Sequence, residues 1–183
     1  DLEWPHIRAG QAWAAARWQE DDAAARLCSD YPGSGFYCLS LRLEVREQVG
    51  WAEAAAEAAR RLGDRRAESA HLGNLGLAHA ALGEARPAID YFQQALAISR
   101  ETGDRWAEGA HLGNLGIAHR NLGEVRQAVD YHEQALTISR ELRAASTEGS
   151  PKWTAARRRE EADLGSLGSA YWALGDVRQA VDY

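Results

Sequence analysis

From Leu72 onward the apolar residues fall at helical spacing. Leu72, Leu75, Gly76 and His79 are separated by 3, 1 and 3 residues, and Ala88, Ile89, Phe92, Ala95 and Leu96 keep the same rhythm. Each set lies on one side of a helix with 3.6 residues per turn. The pattern therefore predicts two amphipathic helices, at about residues 64–81 and 84–100. Leu82-Gly83-Glu84 is the tight turn between them. Gly63-Asp64 and Gly103-Asp104 punctuate the pair: the glycine ends one helix and the aspartate caps the free N–H groups of the next. Pro87 falls in a first turn, where a missing N–H costs little.

The whole pattern repeats. Gly63–Thr102 and Gly103–Leu142 align without a gap at a period of 40, with 28 of 40 positions identical. A third copy is visible over Ala162–Tyr183, displaced by 52 residues. About twelve residues are thus inserted before it, within Arg143–Ala156. The Ser, Thr, Gly and Pro content of that insertion predicts a loop or a broken helix extension. One hairpin cannot bury its own apolar stripe, so neighbouring hairpins must stack. The expected plan is 1–62 as a degenerate helical cap, 63–102 and 103–142 as two full copies, 143–156 as the insertion and 157–183 as a truncated third copy.

Before the copies, Trp4–Gln19 and Asp21–Asp30 read as helices, the second capped by Asp21 or Asp22. Tyr31–Gly35 reads as a turn, Phe36–Leu41 as a short helix and Glu44–Leu62 as a longer one. Shifting the last by 40 lays Val45–Arg60 over Ala85–Arg100, so it is a worn second helix. Trp13, Trp18 and Trp51 are expected to anchor the core of this cap.

The repeat resembles the tetratricopeptide repeat. The matching residues are Leu72, Leu75-Gly76, His79 (where Tyr is usual), Gly83, Ala88, Phe92 and Ala95. The second copy offers Leu112, Leu115-Gly116, His119, Gly123, Ala128, His132 and Ala135. The third offers Leu164, Leu167-Gly168, Tyr171, Gly175 and Ala180. Arg100 and Arg140 stand where a closing Pro is usual, as in a 40-residue variant similar to the arrays of Pins-type spindle adaptors and bacterial signalling ATPases. The resemblance implies an all-α fold: a right-handed superhelix (an α-solenoid) of antiparallel helix pairs. It also implies that the first helix of each pair lines a concave groove that takes a protein or peptide.

That geometry gives the glycines a meaning. HLGNLG occurs at His71–Gly76 and His111–Gly116, and as DLGSLG at Asp163–Gly168. Gly76, Gly116 and Gly168 lie on the core stripe and permit close helix approach. Gly73, Gly113 and Gly165 lie three residues earlier, where they either bare backbone to a ligand or relieve crowding between repeats. Asn74 and Asn114 point away from the hairpin partner, each with a donor and an acceptor for a peptide main chain; Ser166 takes their place in the third copy. The same column adds Arg66, Trp106 and Arg158 before it. After it come Leu77, Ile117 and Ser169, then Arg120 and Trp172, then Asn121. Small residues, cations and flat apolar faces suit a peptide or helix with acidic and apolar side chains. The alternative is a solvated face with no ligand. A lysine–asparagine clamp for a terminal carboxylate is not expected, because Gly73 and Leu77 occupy its positions.

Composition narrows the function. Of 183 residues 45% are hydrophobic, alanine being the largest part, which favours helix over sheet. A net charge of −6 argues against general nucleic-acid or anionic-membrane binding. No apolar run reaches the ~20 residues of a membrane span. Cys28 and Cys38 form no C-x-x-C and read as free thiols of a reducing cytoplasm. With no methionine, Asp1 is not expected to be a natural start, and the chain reads as a piece of something longer.

The stretch Glu3-Trp4-Pro5-His6-Ile7-Arg8-Ala9-Gly10-Gln11-Ala12-Trp13-Ala14 resembles the junction between nucleotide-binding module and repeats in bacterial STAND ATPases, with His6 for the usual Asn. This resemblance implies a sensor or partner-recruiting arm of such an ATPase; a freestanding scaffold adaptor is the alternative. LGNLG follows no strand and lacks the Lys-[Ser/Thr] of a phosphate loop. His71/His79 and His111/His119 are eight apart, missing the helical zinc spacing. No catalytic residue, metal or cofactor is expected, and the chain reads as non-enzymatic. Arg157–Glu161 reads as a solvated helix start. Tyr183 stops the third copy inside its second helix, so an uncovered apolar end is expected to offer self-association.

Overall fold

In the computed structural model, residues 4–30 and 43–182 are described, and every regular element among them is a helix. They are α1 (Trp4–Ala15), α2 (22–30), α3 (Val45–Leu62), α4 (Arg65–Ala81), α5 (Ala85–Thr102), α6 (Arg105–Asn121), α7 (Val125–Ala144), α8 (Pro151–Leu174) and α9 (Val177–Asp182). The chain divides into two compact units, Asp1–Ile98 and Ser99–Tyr183. The fold of the described residues is all-helical, an array of stacked antiparallel helices.

In the first unit, the caps fall where the Gly-Asp steps place them. Gly63 adopts φ 71°, a left-handed turn that favours glycine, and lets Asp64 N–H return to the Ala59 carbonyl at 3.0 Å. The Asp64 carboxylate then accepts from Ala67 N–H at 2.9 Å to start α4. α4 and α5 close on Leu72, Leu75, Ala95 and Ile98, joined by Ala52 and Ala56 of α3. A second cluster joins Ala14 of α1, Ala25 and Cys28 of α2 and Ala58 of α3. These contacts are mostly alanine on alanine, so helices approach closely at little side-chain entropy cost.

Two expectations about this unit need correction. α1 ends at Ala15 rather than Gln19; residues 16–20 turn, and Trp18 folds back onto the Ala14–Ala25–Cys28–Ala58 cluster. Trp13 is not a core anchor: it is 43% exposed, with the Arg17 guanidinium 5.2 Å from its ring. Trp51 stacks on Trp4 at 6.5 Å. The turn 31–35, the helix expected at 36–41, and Cys38 lie outside the described residues.

In the second unit, Asp104 repeats the cap on Ala107 N–H at 3.0 Å. α6, α7 and α8 pack in sequence, with Val129 and Leu136 of α7 meeting Leu167 and Ala170 of α8. The inserted residues lengthen both helices around a short loop. α7 runs to Ala144, and α8 starts at Pro151 behind Ser150, whose hydroxyl accepts from Trp153 N–H at 3.2 Å. Proline at the first helical position gives up only an N–H that had no partner to lose.

Candidate functional site

Within each hairpin one glycine sets the spacing. A Cβ on Gly76 would sit 2.4–2.8 Å from three ring atoms of Phe92, and one on Gly116 would sit 2.6–2.8 Å from three ring atoms of His132. Those rings occupy the space a side chain would need, so the core-stripe glycines are there for close approach. The earlier glycines differ from them. A Cβ on Gly113 would meet only the Asp163 carboxylate at 3.8 Å, and one on Gly165 would meet nothing within 4 Å. Gly113 therefore faces the next repeat's helix α8, and Gly165 faces open space.

With Gly116 turned to α7, the opposite side of α6 is fixed. Asn114 lies about 200° around the helix from it. It is half-buried, and Ile117 and Asn121 beside it are exposed. On α8 the equivalent stripe holds exposed Arg158, Ser169 and Trp172, with Ser166 half-buried. In the first unit α4 presents exposed Arg66 and Leu77 and half-buried Asn74. Leu77 and Ile117 are each 41% exposed and Trp172 is 67% exposed. Leu77 and Ile117 are left in water at one register of their own units, and in the second unit Trp172 lies one turn further on; in each unit such a side chain suits an apolar side chain of a partner.

Trp106 and Arg120 have further contacts. The Arg159 guanidinium lies 5.8 Å from the Trp106 ring and donates to the Trp106 carbonyl at 2.6 Å. Trp106 is thereby clamped between α6 and α8. Arg120 is half-buried, and its charge acts on His132 of α7.

Behind the exposed stripe runs a set of polar contacts that periodicity alone does not reveal. Glu68 is 1% exposed and accepts from Arg60 at 2.8 Å and Arg65 at 2.5 Å. Glu108 accepts from Arg100 at 2.9 Å and Arg105 at 2.6 Å, and Glu160 from Arg140 at 3.2 Å and Arg143 at 2.8 Å. Each second helix thus ends in an arginine that clasps a carboxylate on the next first helix. This accounts for arginine at the position of the usual closing proline. Burial pushes the Glu108 carboxyl up, but its bonds to Arg100 and Arg105 outweigh that and hold it below the usual range.

The histidines are structural partners of the hairpins. His79 Nδ1 meets Glu84 Oε2 at 2.6 Å and its ring stacks on Tyr91 at 5.1 Å; His119, Glu124 and Tyr131 repeat both contacts at the same distances. His71 Nε2 bonds the Ser29 hydroxyl at 3.0 Å, and burial lowers its pKa. His111 is pushed down to about 4, first by burial and then by Arg159. Its counterpart in the third copy is Asp163, whose carboxylate accepts from Ser139 at 2.6 Å; burial pushes its pKa up. Among the described residues no three His, Cys, Asp or Glu side chains cluster as a metal site, and no helix is long and apolar enough to cross a membrane.

Comparison with known proteins agrees with this architecture. Residues 88–141 and 69–102 each match a family described as tetratricopeptide repeat. No curated protein matches the chain. Among solved structures, BtubC (BKLC) from P. vanneervenii is similar with a TM-score of 0.68 and 19% identity, over 100% of this chain and 72% of that one. A putative kinesin light chain of Podosopora anserina with nearly identical TPR-like repeats is similar with a TM-score of 0.56 and 18% identity, over 97% and 90% of the two chains. A single-substitution variant of that protein gives 0.58 at the same identity and coverage. Residues 69–141 are therefore a tetratricopeptide-repeat array, structurally like kinesin light chain repeat proteins.

Proposed function

We propose that this tetratricopeptide module binds a protein segment along the exposed stripe of its first helices. Repeats of this type generally bind proteins or peptides. In the second unit the stripe is built from Asn114, Ile117 and Asn121 of α6 and Arg158, Ser166, Ser169 and Trp172 of α8. Arg66, Asn74 and Leu77 are the equivalent residues of α4, and Trp106 and Arg120 border the stripe on α6. The observation that carries the reading is the repeated exposure of Leu77 and Ile117 at one register. An extended segment would bond its main chain to the Asn114 amide, lay apolar side chains on Ile117 and Trp172, and place acidic ones near Arg158.

A peptide library selected on the immobilised chain tests this. Selected peptides are expected to pair acidic with apolar residues and to lose binding at least tenfold to Ile117→Asp, with the circular dichroism spectrum unchanged. Peptides that bind the variant equally well would refute the site.

The finer reading is a sensor or partner-recruiting arm of a STAND-type ATPase, supported by the resemblance of Glu3–Ala14 to the junction of such proteins. A freestanding scaffold adaptor is the second reading. The coding sequence upstream of Asp1 separates them, since a phosphate-loop motif there supports the arm and a nearby start codon supports the adaptor.

A further inference from the structure

At one core position the two full hairpins exchange a hydrocarbon ring for a titratable one. Phe92 fills the space against Gly76, and 40 residues later His132 fills the same space against Gly116. His132 is 1% exposed, and neither ring nitrogen has a hydrogen-bond partner among the described residues. A neutral imidazole always carries one N–H, so one donor is buried unsatisfied; an imidazolium would bury two. The ring cannot retreat toward α6, because Gly116 already lies against it.

Neither ring nitrogen has a carboxylate bonded to it among the described residues. The α6 charge that acts on His132 is that of Arg120, itself a cation, while His119 of the same helix is held by Glu124. On α8, Tyr171 donates to Glu133 of α7 at 2.8 Å, and Asp163 is engaged by Ser139, two helical turns along α7 from His132.

We propose that His132 is an acid-sensitive latch of the α6–α7 hairpin: a proton on its ring forces α7 away from Gly116 and loosens the second unit, a response that Phe92 denies to the first hairpin. The claim stands on packing and is independent of any ligand. Burial first, and Arg120 second, push the His132 pKa down to about 4 from its ordinary 6.5. The sign follows from proton binding. The unfolded chain takes up the proton as pH falls through 6.5 while the folded unit refuses it until about 4, so stability falls across that window and levels off below it. Between pH 7 and pH 5 this one ring lowers the folding equilibrium constant by about twentyfold. His111, also held near 4, adds a background in the same direction.

The experiment compares denaturant unfolding of the full chain at pH 7 and pH 5 for wild type, His132→Phe and Phe92→His. His132→Phe is expected to retain about twentyfold more of its folding constant at pH 5 than wild type does, and Phe92→His to become more acid-labile than wild type. Hydrogen exchange is expected to localise the wild-type acid opening to α6 and α7. Ring-nitrogen NMR keeps the test intact if a variant fails to fold, because the native His132 ring is expected to stay neutral at pH 5. Equal pH dependence of wild type and His132→Phe, or a native His132 ring titrating near 6.5, would overturn the latch.

Discussion

Replacing Gly116 by alanine is the sharpest test of the packing. The added Cβ would lie 2.6 Å from Cε1 and Nε2 of His132 and 2.8 Å from Cδ2. Comfortable carbon contacts are about 3.5–4.0 Å, so ring and methyl must separate by about 1 Å. His132 is a stiff ring packed at the hairpin centre, not the loose end of a long side chain. Overpacking of this kind costs about 1–3 kcal/mol. Against it stands the helix propensity of alanine, which favours the substitution by about 0.8–1.0 kcal/mol. The overpacking term is the larger over most of its range, and the expected net loss is about 0–2 kcal/mol, so Gly116→Ala should fall below Gly165→Ala. Gly165→Ala is the control. It sits inside α8 with nothing within 4 Å of a new Cβ, so only the propensity term acts and the variant should gain about 0.8–1.0 kcal/mol. Urea unfolding followed by tryptophan fluorescence reads both. A double variant, Gly116→Ala with His132→Ala, should recover part of the overpacking cost as a favourable coupling energy. If Gly116→Ala proves as stable as Gly165→Ala, the close-approach reasoning is wrong.

Two further outcomes follow from the buried polar groups. Removing Arg100 should raise the Glu108 pKa, because burial then meets only one opposing arginine. In the wild type, Glu108 contributes stability that is fully present above its ordinary 4.5 and is lost as pH falls from there through the lower folded value; Arg100→Ala should shrink that contribution and close the window from its low-pH end, read by carboxyl carbon NMR and acid unfolding. The Cys28 thiol is buried and pushed up to about 11, mainly by burial and against its contact with Gln11. In a Cys38→Ser background its alkylation at neutral pH should track global unfolding, and rapid labelling of the native chain would contradict its placement.

The helices were legible because their signals are local. The Gly-Asp steps mark stops and caps within two residues, and a 40-residue period makes each copy a check on the other. Ser150-Pro151 was equally local, but the surrounding Ser, Thr and Gly masked it as loop chemistry. The helical pattern of α1 runs on past Ala15 because nothing in its own composition stops it; Trp18 turns the chain by packing on α2 and α3, which is a tertiary cause. The arginine–glutamate clasps escaped for a similar reason. Arg60–Glu68 and Arg100–Glu108 are eight apart across a turn, and Arg140–Glu160 are twenty apart, separations that no single-helix periodicity marks. His132 was visible as a substitution for Phe92, but its missing partners depend on what α6 and α8 bring near it. The exposed stripe could be outlined by the wheel, because Gly116 fixes which way α6 faces. What touches Trp106 and Arg120 depended on residues of other helices and could not.

The most direct measurement is amide NMR mapping of a selected peptide onto the labelled chain. The account predicts that shifts cluster at Asn114, Ile117 and Asn121 of α6 and at Ser166, Ser169 and Trp172 of α8. Shifts confined instead to the outer face of α7, around Asp130, Gln134 and Thr137, would contradict it.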